Sequence, residues 1–264
     1  MIYTSINNPK IKQLKKLSQK KYRDQTNTFL IEGMHLIKEA EKANCLQEVF
    51  VLEGNHVDTT VSVNEVSINV MKFLSQLETP PVAIGLCTKL KEDNIGNKIL
   101  MLDCVQDPGN LGTIIRSAVA FNIDTIIISE DTVDLYNSKV IRASQGMLFH
   151  TNILVKKLSK EIKKLKETGY KIYSTKVTSG KELKNVEKSK KFVIIMGNEG
   201  NGVSKNLLDL ADDYIYIPMD KRCESLNVAV ATSIILYEIS RWLYDTNWKS
   251  SKHSWNQRWD KNFF

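Results

Sequence analysis

Four short stretches of this chain run almost without a polar side chain: Ile99-Leu100-Met101-Leu102, Thr125-Ile126-Ile127-Ile128, Phe192-Val193-Ile194-Ile195 and Tyr214-Ile215-Tyr216-Ile217. A strand with one wet face alternates apolar and polar residues. A strand buried on both faces does not, and that burial is typical of parallel sheets covered by helices. Helical spacing falls between the runs, near 110–121, 134–143, 157–168 and 204–211, and a last long helix is predicted from Ser225 to Tyr244. The alternation specifies an α/β domain with crossover helices around a parallel sheet.

The first ninety or so residues read differently. A helix is predicted over 8–22, with Ile11, Leu14 and Leu17 on one stripe. Strands are predicted at Phe29–Ile31, Val49–Leu52 and Val82–Leu86, with helices at Met34–Ala43 and Val70–Leu77, the latter stopped by Pro80-Pro81. This is a small α/β unit, and the polar stretch from Lys91 to Asn97 is the candidate linker. The expected organisation is therefore a unit over 1–92, the parallel-sheet domain over 98–246, and a tail over 247–264. The tail is distinct because all four tryptophans fall in the last 23 residues, beside Lys249, Lys252, Arg258 and Lys261. Aromatics interleaved with bases can stack on nucleotides, or fold back onto the protein.

The formal net charge is +7 over 264 residues, and residues 1–23 alone carry Lys10, Lys12, Lys15, Lys16, Lys20, Lys21 and Arg23 with no acid. A concentrated basic stripe suits a polyanion, since each neutralised phosphate releases counterions. A solvated helix face is the plain alternative. An anionic membrane fits less well, because the stripe offers few large apolar residues to insert. No run approaches the length of a membrane span, and the N-terminus has no apolar signal core. Cys45, Cys87, Cys104 and Cys223 form no CxxC pair and the four histidines are scattered, so a reducing cytosol without a metal site is expected.

Three marked segments follow apolar runs. The first, Asp107-Pro108-Gly109-Asn110, places a turn and then Asn110 where a helix cap belongs, with Arg116 six residues on and able to reach a phosphate. In the second, Gly197-Asn198-Glu199-Gly200-Asn201-Gly202, the glycine spacing matches neither a dinucleotide loop nor a P-loop, and Glu199 would repel a phosphate. The third runs from Ile217-Pro218-Met219 through Lys221, Cys223 and Glu224 to Ser225-Leu226-Asn227. There Ser225 is expected to cap the last helix, and a plain capping role for Ser225 and Asn227 is the alternative to a functional one. No G-x-S-x-G elbow, HExxH or Cys–base pairing appears.

Together the three segments resemble the three motifs of the SpoU (TrmH-like) RNA ribose methyltransferases of the SPOUT superfamily, across about residues 99–242. The sequence around Asn8-Pro9-Lys10-Ile11-Lys12 and Phe29-Leu30-Ile31-Glu32-Gly33 is similar to that family's N-terminal RNA-binding domain. The resemblance implies a parallel α/β domain ending in a trefoil knot, a homodimer joined through the last helix, and transfer of methyl from S-adenosylmethionine to a ribose 2′-hydroxyl. By position it implies a cofactor pocket of Met196, Gly197, Asn198, Gly200, Ile217, Pro218, Met219, Ser225 and Leu226, and a catalytic set of Arg116, Asn110, Glu199, Ser225 and Asn227. Lys10, Lys12, Lys15, Lys16 and Arg116 are the expected RNA contacts, with ribosomal RNA favoured over transfer RNA and no metal required. One departure stands out: Lys221 occupies a position where the family usually has glycine, and it either crowds the cofactor or points outward to a phosphate. A non-catalytic RNA-binding protein on the same fold, and a dinucleotide-dependent enzyme, are the competing readings.

Overall fold

The computed structural model of the chain describes residues 2–177, 180–186 and 189–247. The Trp-rich tail lies, from residue 248 onward, outside them. The N-terminal part builds one mixed sheet from β1 (Ile2–Tyr3), β2 (Thr28–Glu32), β3 (Leu46–Leu52), β4 (Ser62–Val66) and β5 (Ala83–Thr88), in the order β1-β4-β3-β5-β2. Four helices connect these strands: α1 (Pro9–Lys16), α2 (Lys20–Thr26), α3 (Met34–Lys42) and α4 (Ile68–Leu74).

Two details depart from the sequence reading. The single helix predicted over 8–22 is split in two. Arg23 is the reason: its buried guanidinium donates from Nη1 to the carbonyl of Leu17 at 2.7 Å, closing the last turn of α1 with a side chain instead of a continuing helix. The strands β1 and β4 were not foreseen, because Ser62-Val63-Asn64-Glu65-Val66 is half polar and β1 has only two residues.

From residue 98 on, the seven strands among the described residues run parallel. They are β6 (Lys98–Leu102), β7 (Thr125–Ile128), β8 (Asn152–Val155), β9 (Lys171–Thr175), β10 (Lys181–Glu182), β11 (Phe192–Met196) and β12 (Asp213–Tyr216), in the order β10-β12-β9-β11-β6-β7-β8. The helices are α5 (Pro108–Ala120), α6 (Ser138–Ser144), α7 (Leu158–Glu167), α8 (Lys205–Leu208) and α9 (Val228–Asn247). The continuous apolar runs now have their cause. Leu100, Leu102, Ile126 and Ile128 face the layer of α5, α6 and α9, whereas Ile99, Met101 and Ile127 face the layer of α7 and α8.

The strand order reverses between β6 and β11. They end level, with Met196 opposite Leu102, and the Asp103 N–H donates to the Met196 carbonyl at 2.9 Å. Loops leaving such a pair diverge and open a crevice at their C-terminal ends, the usual ligand position in open α/β sheets. The first and second marked segments start there.

The two sheets share one apolar core. Phe29, Ile31 and Ile37 pack in the same cluster as Leu111, Leu135 and Phe149, and the ring of Phe29 lies 4.6 Å from Tyr136 and 6.4 Å from Phe149, centroid to centroid. Arg23 also donates to Asp134 across this boundary.

Candidate active site

The loop after β6 turns at Cys104, which takes a left-handed backbone conformation (φ +60°). L-residues resist that conformation, so it persists where neighbours fix it. Here the Cys104 N–H donates to Ser129 Oγ at 2.9 Å, and its carbonyl accepts from Asn198 Nδ2 at 2.7 Å. The turn presents the backbone N–H groups of Gln106 and Asp107 to the Glu199 carboxylate, at 3.2 and 3.1 Å. Asp107, not Asn110, caps α5: its Oδ1 accepts from the Asn110 N–H at 2.7 Å, with Pro108 in the first helical position. This corrects the expected cap and leaves the Asn110 amide free for other work.

The second loop is drawn tight by the paired backbone bonds between Asn198 and Gly202, both 3.0 Å. Gly197 is required at its base. A Cβ there would stand 2.0 Å from the Gly202 carbonyl carbon, well inside contact distance. Asn198 clips the two loops together, donating to Cys104 while its Oδ1 accepts from the N–H groups of Gly200 and Asn201 at 2.9 and 3.2 Å.

A chain of side-chain bonds ties all three segments. Asn110 Nδ2 donates to Glu199 Oε1 at 3.0 Å, and Asn227 Nδ2 donates to Asn110 Oδ1 at 2.9 Å. Asn227 Oδ1 in turn accepts from the N–H groups of Ala229 and Val230 at 2.9 and 3.3 Å, so Asn227 caps α9 and Ser225 does not. The polarity of both amides is thereby fixed. A carboxylate at one end only accepts, the helix N–H groups at the other only donate, and each amide between them has one permitted orientation. Each amide keeps a second N–H to offer, and the Asn110 oxygen keeps a second lone pair. Burial pushes the Glu199 carboxyl up, but the donors from Asn110, Asp107 and Gln106 outweigh it and hold it below the ordinary carboxylate range.

Beside this chain lies a cavity of about 350 Å³, lined by Met196, Gly197, Asn198, Gly200, Ile217, Met219, Ser225 and Leu226, by Glu199, and by Ala231 and Ile235 of α9. Of the expected pocket residues Pro218 alone is not on its wall, and it is exposed. Thr175, Lys176 and Val177 also line it and were not foreseen, because β9, whose end carries them, was not recognised in the sequence. The Lys176 ammonium sits 3.5 Å from the centroid of the Tyr214 ring. Lys221 is exposed and off the cavity wall, beside an Asp220–Arg222 ion pair.

The structure thus brings Asn110, Glu199 and Asn227 into one bonded chain and places Ser225 on the cavity wall. Arg116 is separate. It lies roughly 9 Å further along α5, given 1.5 Å of rise per residue, exposed and without an ion pair or hydrogen bond among the described residues. Lys10 is paired with Glu48 at 2.6 Å, Lys15 and Lys16 sit over the rings of Phe73 and Tyr22, and Lys12 is exposed. Among the described residues no cluster of three or more His, Cys, Asp or Glu can hold a metal, and no helix is long and apolar enough to cross a membrane.

Residues 97–237 match the family model described as the SpoU rRNA Methylase family. The chain belongs to the SpoU rRNA methylase family. Residues 8–85 separately match the MRM3-like substrate binding domain. The chain is 37% identical over 242 residues to the 23S rRNA (guanosine(2553)-2′-O)-methyltransferase RlmP of Bacillus subtilis (strain 168), covering 89% of this chain and 97% of that one. Among solved structures it is similar to an AdoMet-bound rRNA methyltransferase from Sinorhizobium meliloti, at TM-score 0.82 and 30% identity over 92% of this chain and 98% of that one. A second similar structure is titled RNA 2′-O ribose methyltransferase, at TM-score 0.79 and 31% identity over 91% and 98%. With SpoU membership come the α/β fold and the reaction class that the three segments implied, methyl transfer from S-adenosylmethionine to RNA.

Proposed function

We propose that this chain methylates a ribose 2′-hydroxyl of ribosomal RNA, in the large-subunit RNA on which its Bacillus relative is named as acting, with transfer RNA as the second candidate. The observation that carries the reading is the meeting, at the C-terminal ends of β6 and β11, of a half-open cavity with the bonded chain Asn227–Asn110–Glu199.

The cavity suits S-adenosylmethionine. Its volume lies in the range of small-molecule sites, its wall is mostly apolar, and the exposed backbone of Gly200 and the Ser225 side chain add polar groups. Met196, Gly197, Asn198, Gly200, Ile217, Met219, Ser225 and Leu226 would hold it. Bound there, it supplies an electrophilic methyl group on a sulfonium. The rest falls to this chain's own residues. Asn110 and Asn227 offer N–H groups that hold the lone pairs of a ribose oxygen, and an amide is too weak a base to take its proton. Glu199 is occupied by its donors and works as an anchor for Asn110. Arg116, exposed and unpaired, binds the phosphate next to the target ribose; its positive charge there favours loss of the hydroxyl proton by electrostatics. A guanidinium keeps its own proton, so Arg116 is not the group that accepts it, and the hydroxyl proton passes to solvent water.

Residues 1–92 form the substrate-binding part in this reading and 98–246 the catalytic part, with the C-terminal segment threaded as a trefoil knot, as the resemblance implies. Val230, Ile234 and Tyr237 form an exposed stripe on α9, 50%, 36% and 51% accessible, which a second copy of the chain covers in the expected homodimer. A cytoplasmic setting follows from the RNA substrate. The deciding experiment is transfer of labelled methyl from S-adenosylmethionine to RNA from cells lacking this gene, followed by nucleoside mass spectrometry. A new 2′-O-methylated nucleoside in ribosomal RNA is expected, and absence of transfer to every RNA fraction refutes the proposal.

A further inference from the structure

A groove of about 610 Å³ opens where β1 leaves the N-terminal sheet, and no role described above uses it. Thr4, Ser5 and Ile6 make one wall, and Asn69, Lys72 and Phe73 of α4 make the other. Ser67 fixes its end: its N–H donates to the Tyr3 carbonyl at 3.0 Å and its Oγ to the Thr4 carbonyl at 3.4 Å, tying the exit of β1 to the entry of α4. Ile6 is 41% exposed, and Ile2 and Ile68 flanking the walls are 50% and 45% exposed.

The charged side chain on its walls is Lys72, a base, while Glu65 stands opposite the flanking Ile2 on β4. Neither residues 1–23 nor residues 66–77, which supply the two walls, contain an acid. Lys12 and Lys72 are exposed and have no ion pair among the described residues, and the Lys15 ammonium lies 5.3 Å from the Phe73 ring centroid. Glu48, the acid nearest this helix in the hydrogen-bond pattern, is already taken by Lys10.

We infer that this groove is the seat of an unpaired stretch of the substrate RNA. The exposed Ile6 and the half-buried Phe73 beside basic side chains suit the face of a splayed-out base, Asn69 offers both donor and acceptor to a base edge, and Lys12 and Lys72 meet the flanking phosphates. A continuous duplex would show the groove only phosphates and leave its apolar wall in water. The inference rests on the RNA reading of the catalytic site, and it names which surface does the holding.

The test uses the full chain and a fluorescent single-stranded RNA of about a dozen nucleotides, within the range one such site covers, read by anisotropy over a salt series. Lys12→Glu with Lys72→Glu is expected to weaken binding at least tenfold and to flatten the log–log salt slope by roughly 1.4, the contribution of two single-strand phosphate contacts. Ile6→Asp is expected to weaken it severalfold. The same RNA annealed to its complement is expected to bind less tightly. Calorimetry with S-adenosylmethionine on each variant reports an intact catalytic part. An unchanged affinity and slope in the double variant, or equal binding of strand and duplex, overturns the groove while leaving RNA methylation standing. No binding of any RNA by the unaltered chain overturns both.

Discussion

Asn227 and Asn110, 117 positions apart in the chain, share a single hydrogen bond of 2.9 Å in which Asn227 donates. Because Asn227 also caps α9, two of its functions can be separated by one substitution. Aspartate is as good a cap as asparagine, but it has no N–H to give Asn110. Asn227→Asp is therefore expected to keep the denaturation midpoint and lose methyl transfer by about 100-fold, the scale of removing one positioned donor. Full single-turnover rate in this variant would show that the bond to Asn110 is incidental.

Arg116 stands apart from the cavity and from every partner among the described residues. Arg116→Ala should leave stability within about 0.5 kcal/mol, as for other surface changes, and leave S-adenosylmethionine affinity nearly unaltered. Methyl transfer should be abolished. A variant with normal turnover removes the phosphate role.

At Cys104 the backbone is left-handed, held by bonds to its N–H and its carbonyl. Glycine accepts that conformation without a steric cost. Cys104→Gly should raise stability by about 0.5–1 kcal/mol, and Cys104→Val should lower it. Urea titrations of the three proteins decide the sign.

The Glu199 carboxyl is held below its ordinary value of 4.5 by its donors. A folded-state value below the unfolded one adds stability above the unfolded value and loses it as pH falls through the folded one. Glu199→Gln should thus be less stable than the parent near neutrality, with the gap closing only below pH 4.5. Melting curves from pH 7 down to 3 test this, and a gap independent of pH would mean that packing, not charge, explains the loss.

Much of this was legible beforehand because burial on two faces leaves a plain mark: the four apolar runs became β6, β7, β11 and β12. What escaped was short, polar or set by distant partners. β10 has two residues and β8 starts at Asn152, so neither reads as a strand. The break after α1 depends on Arg23, a residue beyond the helix it ends. In the site, the family resemblance pointed to Asn110, Glu199 and Asn227, but the expected caps, Asn110 for α5 and Ser225 for α9, gave way to Asp107 and Asn227. Asp107 and Asn110 are both good caps; Pro108, suited to the first helical position, favours Asp107, and Glu199 engages the Asn110 side chain instead. Lys176 could not be placed on the cavity until β9 was known.

Phe29 packed against Tyr136 and Phe149, with Arg23 bound to Asp134, welds the N-terminal sheet to the C-terminal one. A pair of parts joined by a dry core cannot swing like two arms on a tether. It behaves as a fixed caliper, with one jaw on the N-terminal sheet and the other at the methyl-transfer edge. The nucleotide chosen would then be set by its distance in three dimensions from whatever the first jaw grips, so an RNA with the right local sequence and the wrong fold would go unmodified.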